Sequence, residues 1–150
     1  MSVTTARFHK LDCRNPHVLV VDRDEGYGNA LVAALRARDM CAIRTSSVDD
    51  FLDLNCRLRV DLVCLEVDVL DPFTLDNLCL LRTHFGEGPS TRIVAVTSFA
   101  PHAFPHLLQQ RGADDHLSKS AEHDGMAEQI ETQIRKKFDN PNQRPRPGDS

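Results

Sequence analysis

The sequence predicts an α/β domain built on a five-stranded parallel sheet with helices on both faces. Three observations carry this. Short runs are apolar throughout, amphipathic stretches at helical spacing lie between them, and the two kinds alternate along the chain. A strand apolar at every position is covered on both sides, as parallel sheets require. Right-handed crossovers then distribute the helices over the two faces.

Each element follows in order. Val18-Leu19-Val20-Val21 reads as the first central strand. Tyr27 to Arg38 reads as a helix, with Leu31, Ala34 and Leu35 on one face. Cys41-Ala42-Ile43 is a weaker strand, and Ser46 or Ser47 caps a helix running to about Leu58, carried by Phe51, Leu52 and Leu54. Leu62-Val63-Cys64-Leu65 is a second central strand, followed by a helix from Thr74 to Phe85 with Leu75, Leu78 and Leu81 aligned. Ile93-Val94-Ala95-Val96 is the third apolar strand. Pro101 to Arg111 is a short helix, Ala113 to Ser118 the last strand, and Gly125 to Phe138 the last helix, with Met126, Ile130 and Ile134 four apart. The unit spans residues 16–138. Residues 1–15 are polar and irregular, and residues 139–150, rich in Pro, Asn and Arg, are expected to form a flexible tail or linker.

A chain of 150 residues fits one domain with its own core. A net charge of −4 excludes a domain-wide nucleic-acid surface, which would need clustered Lys and Arg. The triplet Arg135-Lys136-Lys137 reads as the last turn of a helix, where cations suit the dipole. The five cysteines include no CxxC pair, and Cys41 and Cys64 sit in apolar runs as small hydrophobes. No stretch approaches the ~18 apolar residues of a membrane span, and the N-terminus lacks a signal-peptide pattern. A cytoplasmic protein making no membrane contact is expected.

In doubly wound sheets, ligand chemistry collects at the carboxyl ends of the strands. Asp22-Arg23-Asp24-Glu25 follows the first strand, Glu66-Val67-Asp68 the third, Thr97-Ser98 the fourth and Lys119-Ser120 the fifth. Polar residues begin wherever strands leave a core, which explains any one of these but explains the set less well.

This ordered set resembles the response-regulator receiver domain, of the CheY-like, flavodoxin-like (βα)5 fold. The resemblance implies an acidic pair after the first strand for Mg²⁺, an Asp ending the third strand as phosphoacceptor, a Thr and a Lys binding phosphoryl oxygens, and an aromatic or His switch. The matching positions are Asp22 with Arg23, Glu66, Thr97, Lys119 and His116, and Gly112-Ala113-Asp114-Asp115 matches the turn before the last strand. The departures matter more. Glu66 replaces the Asp, Arg23 stands at the second metal-binding acid, Ser120 replaces a Pro, and Leu70 and Phe73-Thr74 depart from the usual loop.

Arg23 removes a carboxylate and adds a fixed cation that competes with metal. Glu66 is one methylene too long for a geometry in which errors of about 1 Å are costly. Mg²⁺ binding is therefore expected to be weak or absent, with Asp22, Asp24 and Glu66 as the residual oxygen donors and Asp68 as a further pocket acid. Lys119 and Arg23 are expected to neutralise these acids, and Glu66 imitates a phosphorylated Asp only in part, since a phosphoryl group carries more charge and more oxygens.

The expected function is that of a degenerate, or pseudo-, receiver in two-component signal transduction. It acts by phosphorylation-independent protein–protein interaction and is not an enzyme. Expected partners are a histidine kinase or regulator, or a second copy through the fourth helix, fifth strand and fifth helix. The alternatives are residual phosphoacceptor activity at Glu66 or Asp68 feeding an output partner, and a small ligand at the strand ends. The pair His102 and His106, four apart, lacks the rest of a zinc motif and reads as surface histidine. Gly26 and Gly28 do not complete a dinucleotide loop, because Leu31 stands at the last glycine position.

Overall fold

A computed structural model describes residues 15–53, 59–68, 70–86, 91–98 and 105–139. Ten elements alternate: β1 (His17–Val21), α1 (Glu25–Arg36), β2 (Cys41–Thr45), α2 (Val48–Asp53), β3 (Leu62–Glu66), α3 (Pro72–Phe85), β4 (Arg92–Thr97), α4 (Pro105–Gln110), β5 (Asp115–Ser118) and α5 (His123–Asp139). All pairings are parallel, in the order β2-β1-β3-β4-β5.

Strand alternation divides the core into two layers. Val18, Val20, Leu62, Cys64, Val94 and Val96 pack under Leu31, Val32 and Leu35 of α1 and Met126, Ile130 and Ile134 of α5. Their neighbours Leu19, Val21, Val63, Leu65, Ile93 and Ala95 pack under Val48 and Phe51 of α2, Leu75, Leu78 and Leu81 of α3, and Leu108 of α4. A run apolar at every position is what a strand facing two such layers needs.

Local chemistry sets the helix starts. Asp24 caps α1 by accepting from the Tyr27 N–H, so the helix begins two residues before the expected Tyr27 and ends at Arg36 rather than Arg38. Ser47 Oγ accepts from the Asp50 N–H at 3.1 Å and caps α2. That helix is described to Asp53, and its expected continuation to Leu58 lies outside the described residues. Asp71 caps α3, with Pro72 in the first turn where its missing N–H costs nothing. The last strand starts at Asp115 rather than Ala113, because Gly112 turns at φ 113° and the Asp114 N–H is tied to the Ile93 carbonyl. The expected start of the fourth helix, residues 101–104, and the segments 1–14 and 140–150 lie outside the described residues.

The amino-terminal end of the sheet is fastened by buried Asp61. It accepts from the His17 N–H (2.9 Å), Arg59 (3.1 Å) and Lys137 (3.0 Å). Lys136 and Lys137 thus sit in the last turn of α5, as the dipole argument expects. Cys41 and Cys64 are buried and Cys79 is exposed. Among the described residues, no helix is long and apolar enough to cross a membrane.

Candidate functional site

The strand order reverses between β1 and β3, so the loops leaving these strands part and open a crevice at their carboxyl ends. Asp22 leaves β1 there and Glu66 ends β3. Lys119, just past β5, reaches both: Nζ lies 2.9 Å from Asp22 Oδ2 and 3.0 Å from Glu66 Oε2. Its backbone N–H donates to the Thr97 carbonyl at 2.7 Å, which continues the β4–β5 ladder one residue beyond the strand and fixes where the side chain starts. The ammonium also lies 4.3 Å from the centroid of the Tyr27 ring, a cation–π distance. The Tyr27 hydroxyl donates to the Ser120 carbonyl at 2.6 Å, and the His123 ring packs on Tyr27 at 4.9 Å. Tyr27 therefore ties the β5–α5 loop to α1.

Burial alone would lower the Lys119 pKa, but the hydrogen bonds and charges of Asp22 and Glu66 outweigh it and hold the ammonium above its usual value. Burial raises the Tyr27 phenol, against the opposing pull of Lys119. Both shifts favour an ammonium at Lys119 and a neutral phenol at Tyr27.

The other expected site residues are placed as follows. Asp22 is only 5% exposed, and its Oδ1 accepts from the Asp24 N–H at 2.8 Å, so both of its oxygens are occupied within the fold. Asp24 is exposed, and its Oδ1 accepts from the Tyr27 N–H as the α1 cap. Arg23 is exposed and lines a cleft of about 120 Å³ together with Glu66, Val67, Asp68, Thr74 and Ser98. Asp68 is half-buried, and its Oδ1 accepts from the Leu70 N–H at 2.9 Å. Thr97 is buried at 2% exposure, whereas His116 is half-buried on β5 beside Asp115. Of the pair His102 and His106, His102 lies outside the described residues and His106 is exposed.

This donor set does not fit Mg²⁺, which takes octahedral oxygen ligands at close range. The converging oxygens of Asp22 and Glu66 already hold the Lys119 ammonium, and Asp24 faces solvent. Among the described residues, no group of three or more His, Cys, Asp and Glu is arranged to hold a metal ion.

No protein-family model matches the sequence, and no curated protein matches it. Solved structures do. A response regulator from Thermotoga maritima superposes with a TM-score of 0.68 at 22% identity, covering 80% of this chain and 98% of that one. The fold is that of a response-regulator receiver domain. An orphan response regulator of H. pylori gives a TM-score of 0.65 at 19% identity, over 80% of this chain and 97% of that one. An atypical orphan response regulator, described as having a phosphorylation-independent regulatory mechanism, gives 0.60 at 17% identity, over 79% and 95%.

Three contributors to this receiver-fold site escaped the sequence reading. Tyr27 sits beneath Lys119. Arg44 Nε donates to the Asp22 carbonyl at 3.1 Å and braces the β1–α1 loop. Thr74 Oγ1 donates to the Asp68 carbonyl (2.7 Å) and accepts from the Asp68 N–H (3.0 Å). Gly28 was the available signal for Arg44: a Cβ there would come within 2.7 Å of the Arg44 side chain, so the glycine makes room for an arginine rather than a phosphate.

Proposed function

We propose that this receiver-fold domain acts in signal transduction by binding a protein partner, without Mg²⁺-dependent phosphoryl transfer. The observation that carries the reading is Arg23, which lines the cleft with Glu66 and Asp68 at the position where the resemblance implies a metal-binding acid. Phosphoryl transfer to a carboxylate depends on positioning and on cations that neutralise developing charge. Here the acids are neutralised internally, the acceptor position holds the longer Glu66, and Arg23 stands beside the cleft. A histidine kinase or another regulator is the natural class of partner, and the cytoplasm the natural compartment. The likeness to an atypical orphan regulator described as phosphorylation-independent supports the reading.

Incubation with acetyl phosphate and Mg²⁺, followed by intact mass and peptide mapping, tests it. The expected result is unmodified protein. A stoichiometric phosphoryl adduct on Glu66 or Asp68 would establish the alternative, a receiver with its own phosphoacceptor.

A further inference from the structure

Two large apolar side chains stand largely in solvent, in sequence between the cleft-lining residues Asp68 and Thr74: Leu70 at 75% exposure and Phe73 at 78%. Neither belongs to either core layer, although α3 buries Leu75, Leu78 and Leu81 on its other side. Both of their backbone N–H groups are hydrogen-bonded. The Leu70 N–H donates to Asp68, the Phe73 N–H donates to Asp71, and the single Thr74 hydroxyl proton is shared between the carbonyls of Asp68 (2.7 Å) and Asp71 (2.8 Å). A fixed display of this kind loses little further entropy when a partner covers it.

Along the segment itself the charge has one sign, with Arg23 of the β1–α1 loop across the cleft as the facing cation. From Glu66 to Leu81 the chain carries Glu66, Asp68, Asp71 and Asp76 and has no Lys or Arg. Lys119 offsets Glu66, and Arg111 approaches Asp76 at 3.5 Å. Asp68 and Asp71 spend one oxygen each on backbone N–H groups and keep their negative charge at the rim. A second copy docking by the same patch would oppose these acids to themselves. An anionic lipid surface would be repelled in the same way.

We infer that the Leu70–Phe73 rim of the cleft docks a basic, amphipathic segment of a partner protein, with apolar side chains on Leu70 and Phe73 and Lys or Arg facing Asp68 and Asp71. This inference deepens the binding role proposed above and rests on it.

The test is a titration of the ¹⁵N-labelled full chain with a synthetic amphipathic peptide carrying Leu on one face and Lys on the other. A second peptide with Glu in place of each Lys serves as the charge control. The expected result is amide shifts concentrated at residues 66–76, weakening with salt, with no binding of the Glu peptide. Leu70→Ser/Phe73→Ser should weaken the Lys peptide about tenfold or more, while Leu80→Ser, elsewhere on α3, leaves it unchanged. All three substituted residues are solvent-exposed, so unchanged melting curves are expected to confirm folding. Absent binding, shifts centred elsewhere, equal affinity in the double variant, or equal binding of the Glu peptide each overturn the inference. So does a wild-type dimer in sedimentation that the double variant abolishes, which makes the occupant a second copy. A phosphoryl adduct under acetyl phosphate sinks the phosphorylation-independent role alone. Failed peptide binding without an adduct sinks the docking surface alone.

Discussion

Replacing Lys119 by Met isolates what the central cation does for the fold. The substitution keeps the aliphatic stem and deletes the ammonium that lies within 3.0 Å of both carboxylates. Removing one partner of a fully buried ion pair costs roughly 3–5 kcal/mol, because the remaining charge is left uncompensated. The Asp22 side chain is only 6% exposed, whereas the Glu66 side chain is 27% exposed and can turn outward. The expected loss therefore lies at the lower end, about 3 kcal/mol. Against a typical domain stability of roughly 5–15 kcal/mol this is a large fraction. It corresponds to a drop in melting temperature of roughly 6–12 °C for a chain of this size. Urea unfolding followed by far-UV circular dichroism measures it. Adding Glu66→Gln should recover part of the deficit, since the two sites share a partner. A loss below about 1 kcal/mol, or a deficit indifferent to Glu66→Gln, would refute the claim that Lys119 is the internal counter-ion.

Gly112→Ala should cost about 2 kcal/mol: the residue sits at φ 113°, and a Cβ would meet Arg82 Cβ at 2.9 Å. Alkylation of the native protein with peptide mapping should label exposed Cys79 and spare Cys64, whose thiol burial pushes up to about 12, until denaturant is added. Asp61→Asn should flatten the acid limb of stability against pH. Burial alone would raise Asp61, but the His17 N–H, Arg59 and Lys137 outweigh it and hold its pKa below 3.8, so its contribution is complete above that value and disappears as pH falls through the folded pKa. Denaturant midpoints of both proteins across the acid range check this, and parallel acid limbs would refute it.

The architecture was legible because it rests on periodicity. Apolar runs such as Leu62–Leu65 and Ile93–Val96 have one packing solution, and the buried triad Leu75, Leu78 and Leu81 follows from helical spacing alone. Element ends were less legible, since they depend on single side chains: α1 starts at Glu25 because Asp24 Oδ1 accepts from the Tyr27 N–H. The site was legible where the strand ends carry charge, as with Asp22, Glu66 and Lys119. It was not legible where the contributor belongs to an element and not to a strand-end loop. Tyr27 meets Lys119 only because α1 and the β5–α5 loop fold onto the same face, a contact between residues far apart in sequence. Arg44 likewise acts across strands.

The two halves of the site respond differently to ions. Any ligand that takes the oxygens of Asp22 and Glu66 must first displace Lys119 from both. Charge-assisted hydrogen bonds are worth roughly 1.5–3 kcal/mol each. Two of them handicap a competing cation by roughly 3–6 kcal/mol, or about two to four orders of magnitude in affinity. The Leu70–Phe73 rim is fixed by Asp68, Asp71 and Thr74, in bonds that do not involve Lys119. A Mg²⁺ titration should therefore leave the amide shifts of residues 66–76 nearly unmoved. The affinity of the Lys-bearing peptide, measured at matched ionic strength, should be the same with and without Mg²⁺. A change of tenfold or more between the two conditions would mean that the cleft and its rim form one switch, and that the neutralised pocket still communicates with the surface beside it.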